Sequence, residues 1–421
     1  MVAIKRRKFL NGLMTAGALV AAPRSFAGAR AHVVIVGGGV GGIAAARHLA
    51  THYPEIAITM IEANPAYTCC FSSGAVLADL RERSSLDFAY DRVRQTDAIK
   101  WINARATRID VEKSVVHLSE QETVAYDRLI VAPGIGLDFD QIDGFDGAAQ
   151  VRFPHSYVLG GDIDLLKSRL AAVEDGGLVV LSVPARPYRC TPAPYERVSM
   201  IAHYLKSHKP KSKILVLDNK DEFPLMDRIL PAWDRFYGGM IEWVPLEFGG
   251  QVERVNGADG SLVYDGQTIR PDLANVIPPQ RAGDIARASG LSADDGWCPV
   301  DPVTLQSLLA GNVHVIGDAA EAGDMSKSAH AAASMGDVCA AAVGRLLTGR
   351  DPMPPAYDNA CYFLIAPNHG LQVGGAYQAE HGRITGTRGF SSAIGETDMT
   401  RAATAAAGDR WFGEFTDDLF G

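Results

Sequence analysis

The chain has 421 residues, with 40 Lys and Arg against 49 Asp and Glu, a formal net charge of −9 and 47% hydrophobic residues. Such a composition excludes a disordered, collagen-like or coiled-coil chain, and the length allows two to three domains. Forty-three glycines exceed the usual ~7% and imply many tight turns, with backbone close to a ligand.

Residues Lys5 to Lys8 are basic and precede Phe9-Leu10, an apolar stretch from Leu13 to Ala22, and Ser25-Phe26-Ala27. In that order they predict a twin-arginine export signal over residues 1–27, and hence a periplasmic protein exported folded with its cofactor. Its removal takes five basic residues and no acidic one, lowering the net charge from −9 to −14. So acidic a surface disfavours nucleic acid and anionic membranes and suits a basic partner. No later apolar run reaches the ~18 residues of a membrane-spanning helix. The six cysteines (Cys69, Cys70, Cys190, Cys298, Cys339, Cys361) include no CxxC, hence no haem-attachment site, and no zinc spacing, so no metal site is expected.

His32 to Val36 is an apolar, β-branched run that predicts a buried strand. The glycines Gly37, Gly39 and Gly42 follow in GxGxxG spacing, then a helix from Ile43 to Tyr53, then a strand from Ile58 to Glu62. Glycines there let a pyrophosphate approach the backbone at a helix start, and Glu62 would accept a hydrogen bond from a ribose hydroxyl. Tyr126 to Val131 is a further strand, turning at Pro133 and Gly134. Gly177 to Val183 and Ile214 to Asp218 read as strands of a second such unit. Between them Pro184-Ala185-Arg186-Pro187 replaces a phosphate-cradling glycine loop, so NAD(P)H is not expected there. Val313 to Ala319 predicts a strand delivering Gly317 and Asp318 to a helix start. Asp351 to Pro355 reads as a linker to a small final domain.

Three of these segments together resemble the two-dinucleotide-binding-domain flavoproteins of the glutathione reductase type. The predicted fold class is therefore α/β, with two Rossmann-like domains and a small C-terminal domain. The expected boundaries are 1–27 for the signal, 28–141 with 282–350 for FAD binding, 142–281 for the second Rossmann-like domain, and 351–421 for the last.

More specific stretches are Tyr67-Thr68-Cys69, Arg189-Cys190, Pro194-Tyr195-Glu196-Arg197, Gly296-Trp297-Cys298-Pro299 and Asn359-Ala360-Cys361-Tyr362. On these the chain resembles the flavoprotein subunit of flavocytochrome c sulfide dehydrogenase, within the wider sulfide:quinone oxidoreductase group. What the resemblance implies is a catalytic Cys190–Cys361 disulfide, FAD bound covalently through Cys69, and Asp318 on the ribityl chain. It further implies a c-type cytochrome subunit as heterodimer partner and sulfide as substrate. Cys70 stands where the family carries an aromatic residue, and Cys69 keeps the motif position. Glu196 is the candidate proton carrier beside the disulfide. Lys327 and Trp411 are candidates for the flavin's surroundings, and Cys298 and Cys339 read as buried structural thiols. Two alternatives stay open: a sulfide:quinone oxidoreductase, and an accessory flavoprotein of a thiosulfate-oxidising system with little turnover.

Overall fold

From Val33 to Val36 and from Ile58 to Glu62 every side chain is buried, as in strands covered on both faces. The computed structural model describes residues 30–119, 121–158 and 162–421. The export signal expected over residues 1–27 lies outside them.

The principal elements follow in chain order. Strand β1 (His32–Val36) leads into helix α1 (Val40–His52), and β2 (Ala57–Glu62), β3 (Ile99–Asn103) and β4 (Arg128–Val131) come next. Then come β5 (Leu178–Val183), α2 (Ala193–His208), β6 (Lys213–Asp218), α3 (Met226–Tyr237), β7 (Ile241–Val244) and β8 (Leu273–Val276). Strand β9 (Val313–Val315) and helix α4 (Ala329–Leu347) precede β10 (Ala356–Ala366), β11 (His369–Glu380), β12 (Arg383–Ser391) and α5 (Asp398–Phe420).

Strands β9-β4-β1-β2-β3 form one fully parallel sheet, and β7-β6-β5-β8 form another. Outward from its first strand each sheet has the same order, third-second-first-fourth. That order reverses direction beside the first strand, and ligands bind there, outside the carboxyl ends. The chain leaves the first sheet after β4, builds the second, and returns to the first with β9.

Strands β10, β11 and β12 form an antiparallel sheet. Helix α5 lies along it, capped by Thr397, whose Oγ1 accepts the Thr400 N–H at 3.2 Å. At its start Arg235 of α3 grips Asp398 through two bonds of 2.7 and 2.8 Å. At its middle Asp409 pairs with Arg81, and at its end Phe420 stacks on Tyr67 at 4.7 Å. The helix thus spans from the second sheet's helices to the first domain.

One expectation is corrected here. Asp318 does not open the long helix: it sits in a one-turn 3-10 segment, Gly317–Ala319, and α4 starts only at Ala329. Ser328 supplies the cap, its Oγ accepting the Ala331 N–H at 3.1 Å, which Asp318 is too early in the chain to do.

Candidate active site

A cavity of about 770 Å³ lies at the carboxyl edge of the first sheet and runs beneath α5. Its floor is the turn after β1. Gly37 has φ +104°, and a β-carbon there would lie 2.3 Å from the Ala132 carbonyl oxygen. A β-carbon on Gly42 would lie 1.9 Å from the Gly37 carbonyl oxygen, so only glycine lets α1 begin this close to the turn. Gly39, by contrast, faces open space, with nothing among the described residues within 4 Å of its β-carbon position. Glu62, at the end of β2, accepts the Gly38 N–H at 2.6 Å and Asn64 donors at 2.6 and 2.8 Å.

Further along, Pro133, Gly134, Gly317 and Asp318 line the same cavity. Burial raises the Asp318 carboxyl, opposed by the Arg189 guanidinium 3.7 Å away and by Lys327. Its Oδ1 is buried with no hydrogen-bond partner among the described residues. An orphaned carboxylate oxygen, an open glycine face and an acid at the end of β2 fit FAD, which Gly39 would hold by its pyrophosphate, Glu62 by its adenosine ribose and Asp318 by a ribityl hydroxyl.

Cys190 and Cys361 meet on the cavity wall. Cys190 has φ +55°, held by its N–H donating to the Lys327 carbonyl at 2.7 Å and by the Tyr157 hydroxyl at its own carbonyl, 3.4 Å. Cys361 lies on β10, opposite Val373. Both cysteines are free thiols in this structure, close enough to each other for the two sulfurs to interact directly. That interaction and the Ser328 hydroxyl lower the Cys361 thiol, whereas the same interaction and burial raise Cys190.

Glu196, on the first turn of α2, accepts the Leu364 N–H at 2.9 Å and lines the cavity beside the pair. Burial pushes its carboxyl up to about 7. It is therefore poised to exchange a proton near neutrality. Trp411 also lines the cavity, stacked on Phe415 at 4.8 Å and 5.9 Å from Tyr362.

Two expected site residues are placed elsewhere. Cys69 is 1% exposed and turned into the core, its thiol donating to the Phe71 carbonyl at 3.1 Å, whereas Cys70 lines the cavity. The side chain of Lys327 points away from the cavity: its Nζ donates to the Ala320 carbonyl at 2.6 Å, 3.9 Å above the Trp297 ring. Lys327 serves the site through its backbone carbonyl. Cys298 and Cys339 are buried, as expected.

Arg189 is the residue that sequence reasoning passed over. Burial opposes its charge, but Cys70, Asp318 and two tyrosines more than offset that and raise its pKa. Its adjacency to Cys190 was the available signal.

The second sheet's crevice is filled. Asp218 ends β6, the place that Glu62 takes on β2, and is 0% exposed. It accepts the Tyr195 hydroxyl at 2.7 Å and the Trp243 indole at 3.0 Å, and pairs with Lys220. Tyr188, Tyr195 and Phe223 occupy the space around it. Among the described residues no cluster of His, Cys, Asp and Glu is arranged to hold a metal ion. Nor is any helix among them long and apolar enough to cross a membrane.

Comparisons with known proteins agree with this geometry. Residues 31–158 match the pyridine nucleotide-disulphide oxidoreductase family, and residues 163–278 match the central part of the sulfide dehydrogenase (flavocytochrome c) flavoprotein chain. Residues 353–420 match the flavin-binding part of flavocytochrome c sulphide dehydrogenase. The mitochondrial sulfide:quinone oxidoreductase of Mus musculus is 24% identical over 325 residues, covering 72% of this chain and 69% of that one. A sulfide-quinone reductase of Aquifex aeolicus is 31% identical over 108 residues, 26% of this chain and 25% of that one. Among solved structures, the sulfide:quinone oxidoreductase of Aquifex aeolicus superposes with a TM-score of 0.71 at 16% identity, over 92% of both chains. The ferredoxin reductase of the CYP199A2 system from Rhodopseudomonas palustris gives 0.64 at 20% identity, over 86% of this chain and 90% of that one.

Fold and site together define an FAD-dependent oxidoreductase with the glutathione reductase-type fold. More particularly, the chain is a flavoprotein like those of flavocytochrome c sulfide dehydrogenase and sulfide:quinone oxidoreductase.

Proposed function

We propose that the protein is the flavoprotein subunit of a periplasmic sulfide dehydrogenase. In this reading it oxidises sulfide through Cys190 and Cys361 and passes the electrons to a c-type cytochrome. The observation that carries the proposal is one cavity holding a dinucleotide turn, a cysteine pair and a near-neutral carboxyl.

In the oxidised pair, HS⁻ attacks one sulfur of the Cys190–Cys361 disulfide. A new S–S bond forms to that sulfur, the old one breaks, and its electron pair leaves on the other cysteine as thiolate. A second HS⁻ removes the outer sulfur as HSS⁻ and leaves the cysteine reduced. Closing the pair again releases two electrons and one proton, and Glu196 takes the proton. Bound FAD would supply the two-electron acceptor that returns electrons one at a time. The thiol available for a covalent link to that cofactor is Cys70, which faces the cavity, rather than Cys69. Peptide mapping for bound flavin in Cys69→Ser and Cys70→Ser separates the two, with loss expected only in the second.

The cytochrome as acceptor is supported by the two flavocytochrome family matches and by the acidic balance of the chain. The periplasmic location rests on residues 1–27 alone. A quinone acceptor is the second reading, favoured by the similarity to the mouse sulfide:quinone oxidoreductase. The test is the rate of sulfide-dependent reduction of cytochrome c against decylquinone. A preference for cytochrome c is expected, and turnover with decylquinone alone would transfer the assignment to the quinone class.

A further inference from the structure

Asn359 and Cys361 are two residues apart on β10, so their side chains leave the same face of the strand. Asn359 is 4% exposed and Ser328 is 3% exposed. The Asn359 Oδ1 accepts the Ser328 hydroxyl at 2.6 Å and the Cys361 thiol at 3.7 Å. Ser328 caps α4, a helix of 19 residues, and lies beside the Cys361 sulfur. Tyr377 of β11 lies close enough to the amide to be affected by it. Cys190 is set differently: Lys327 and Tyr157 contact its backbone, and its thiol lies near the Glu196 carboxyl, Cys70 and Tyr188.

We propose that Asn359, braced by Ser328 at the amino end of α4, is a positioning residue that makes Cys361 the sulfur released as thiolate when the pair is opened. The incoming sulfur is then retained on Cys190. The inference rests on the disulfide chemistry proposed above. The S–S bond between the two cysteines breaks with its electron pair going to Cys361, a new S–S bond forms on Cys190, and no further oxidant enters.

The physical argument is one of donors. The groups facing Cys361 are the Cys190 thiol from the loop after β5, Glu196 of α2, Tyr377 of β11, and Ser328 with the amino end of α4. Glu196 disfavours a thiolate there. The helix end, with unsatisfied N–H groups and a positive partial charge, favours one. An amide serves both states of the sulfur, because its oxygen accepts from a thiol and its nitrogen, after rotation, donates to a thiolate. The serine hydroxyl turns in the same way. A carboxylate at position 359 would only accept and would add a negative charge.

The experiment is limited alkylation of the anaerobically reduced holoprotein with iodoacetamide across a pH series, with each cysteine peptide quantified by mass spectrometry. Cys361 is expected to react at least about tenfold ahead of Cys190 at pH 7, since reactivity follows the thiolate fraction. In Asn359→Asp the preference should fall about tenfold and the half-labelling pH of Cys361 should rise by about one unit, with flavin content unchanged. Ser328→Ala should move both in the same direction and decides the matter if Asn359→Asp fails to hold flavin. Earlier labelling of Cys190 in the parent protein, or an unchanged order in a flavin-replete variant, would overturn the inference. Labelling does not require sulfide, so an intact labelling order without sulfide oxidation contradicts the proposed function and leaves standing only that Asn359 and Ser328 make Cys361 the more thiolate-prone of the pair.

Discussion

The two parallel sheets share a strand order but differ at their carboxyl edges. In the first, the turn after β1 is glycine, Glu62 clamps that turn, and the cavity stays open. In the second, a proline-containing loop follows β5, and Asp218 is consumed by Tyr195, Trp243 and Lys220. One plan of backbone therefore gives one cofactor crevice and one packed support. The support has a task of its own, because its loop after β5 carries Cys190 into the first crevice. A domain that would otherwise bring a nicotinamide to the flavin brings a sulfur.

Several substitutions would break or sharpen that contrast. The largest effect is expected from Cys190→Ser. It should retain flavin and lose sulfide-dependent flavin reduction by ~10³-fold or more in stopped-flow, because the reacting sulfur is gone. Retained reduction would end the cysteine-pair mechanism. Next comes Gly42→Val, whose side chain has no room against the Gly37 carbonyl, and which should yield protein without FAD by absorbance.

Glu196→Gln should lower the rate by ~10²-fold. At fixed HS⁻ the parent rate should rise as the pH passes through about 7, where the carboxyl loses its proton and becomes a base. The variant should show no such rise, and a rise of equal size would assign the titration to another group. Asp318→Ala should weaken FAD retention by ~10- to 100-fold in dialysis, matching the ~1.5–3 kcal/mol of a hydrogen bond to a charged group. The smallest effect belongs to the filled crevice. Tyr195→Phe removes one of the donors to Asp218 and should cost ~1–3 kcal/mol in thermal unfolding. NADH should bleach the flavin in neither form, and bleaching would show that the second crevice still admits a nucleotide.

The open crevice was the more legible of the two. The buried run from Val33, the glycine spacing and Glu62 each have a local mechanism that short sequence windows reveal. The filled crevice was legible only as a missing glycine loop. The partners of Asp218 arrive from the first turn of α2, from the residues just after β6 and from β7, and such assembly follows from packing alone. Near the flavin the misses were of direction. A three-residue strand, Ala66–Thr68, ends just before Cys69 and Cys70, so alternation could not say which thiol faces inward. Lys327 turned aside because Trp297, thirty residues earlier, offers its ring and Ala320 its carbonyl. Ser328 carries ordinary cap chemistry, but the glycine turn at Gly317 drew the predicted helix start too early.

The most direct test of the central claim is an anaerobic titration of the holoprotein with sulfide, following the flavin's visible absorbance and then adding oxidised cytochrome c. Stoichiometric bleaching by sulfide, followed by reduction of the cytochrome and return of the flavin absorbance, is the predicted result. A flavin that stays oxidised under excess sulfide would contradict the account and favour an accessory role with little turnover.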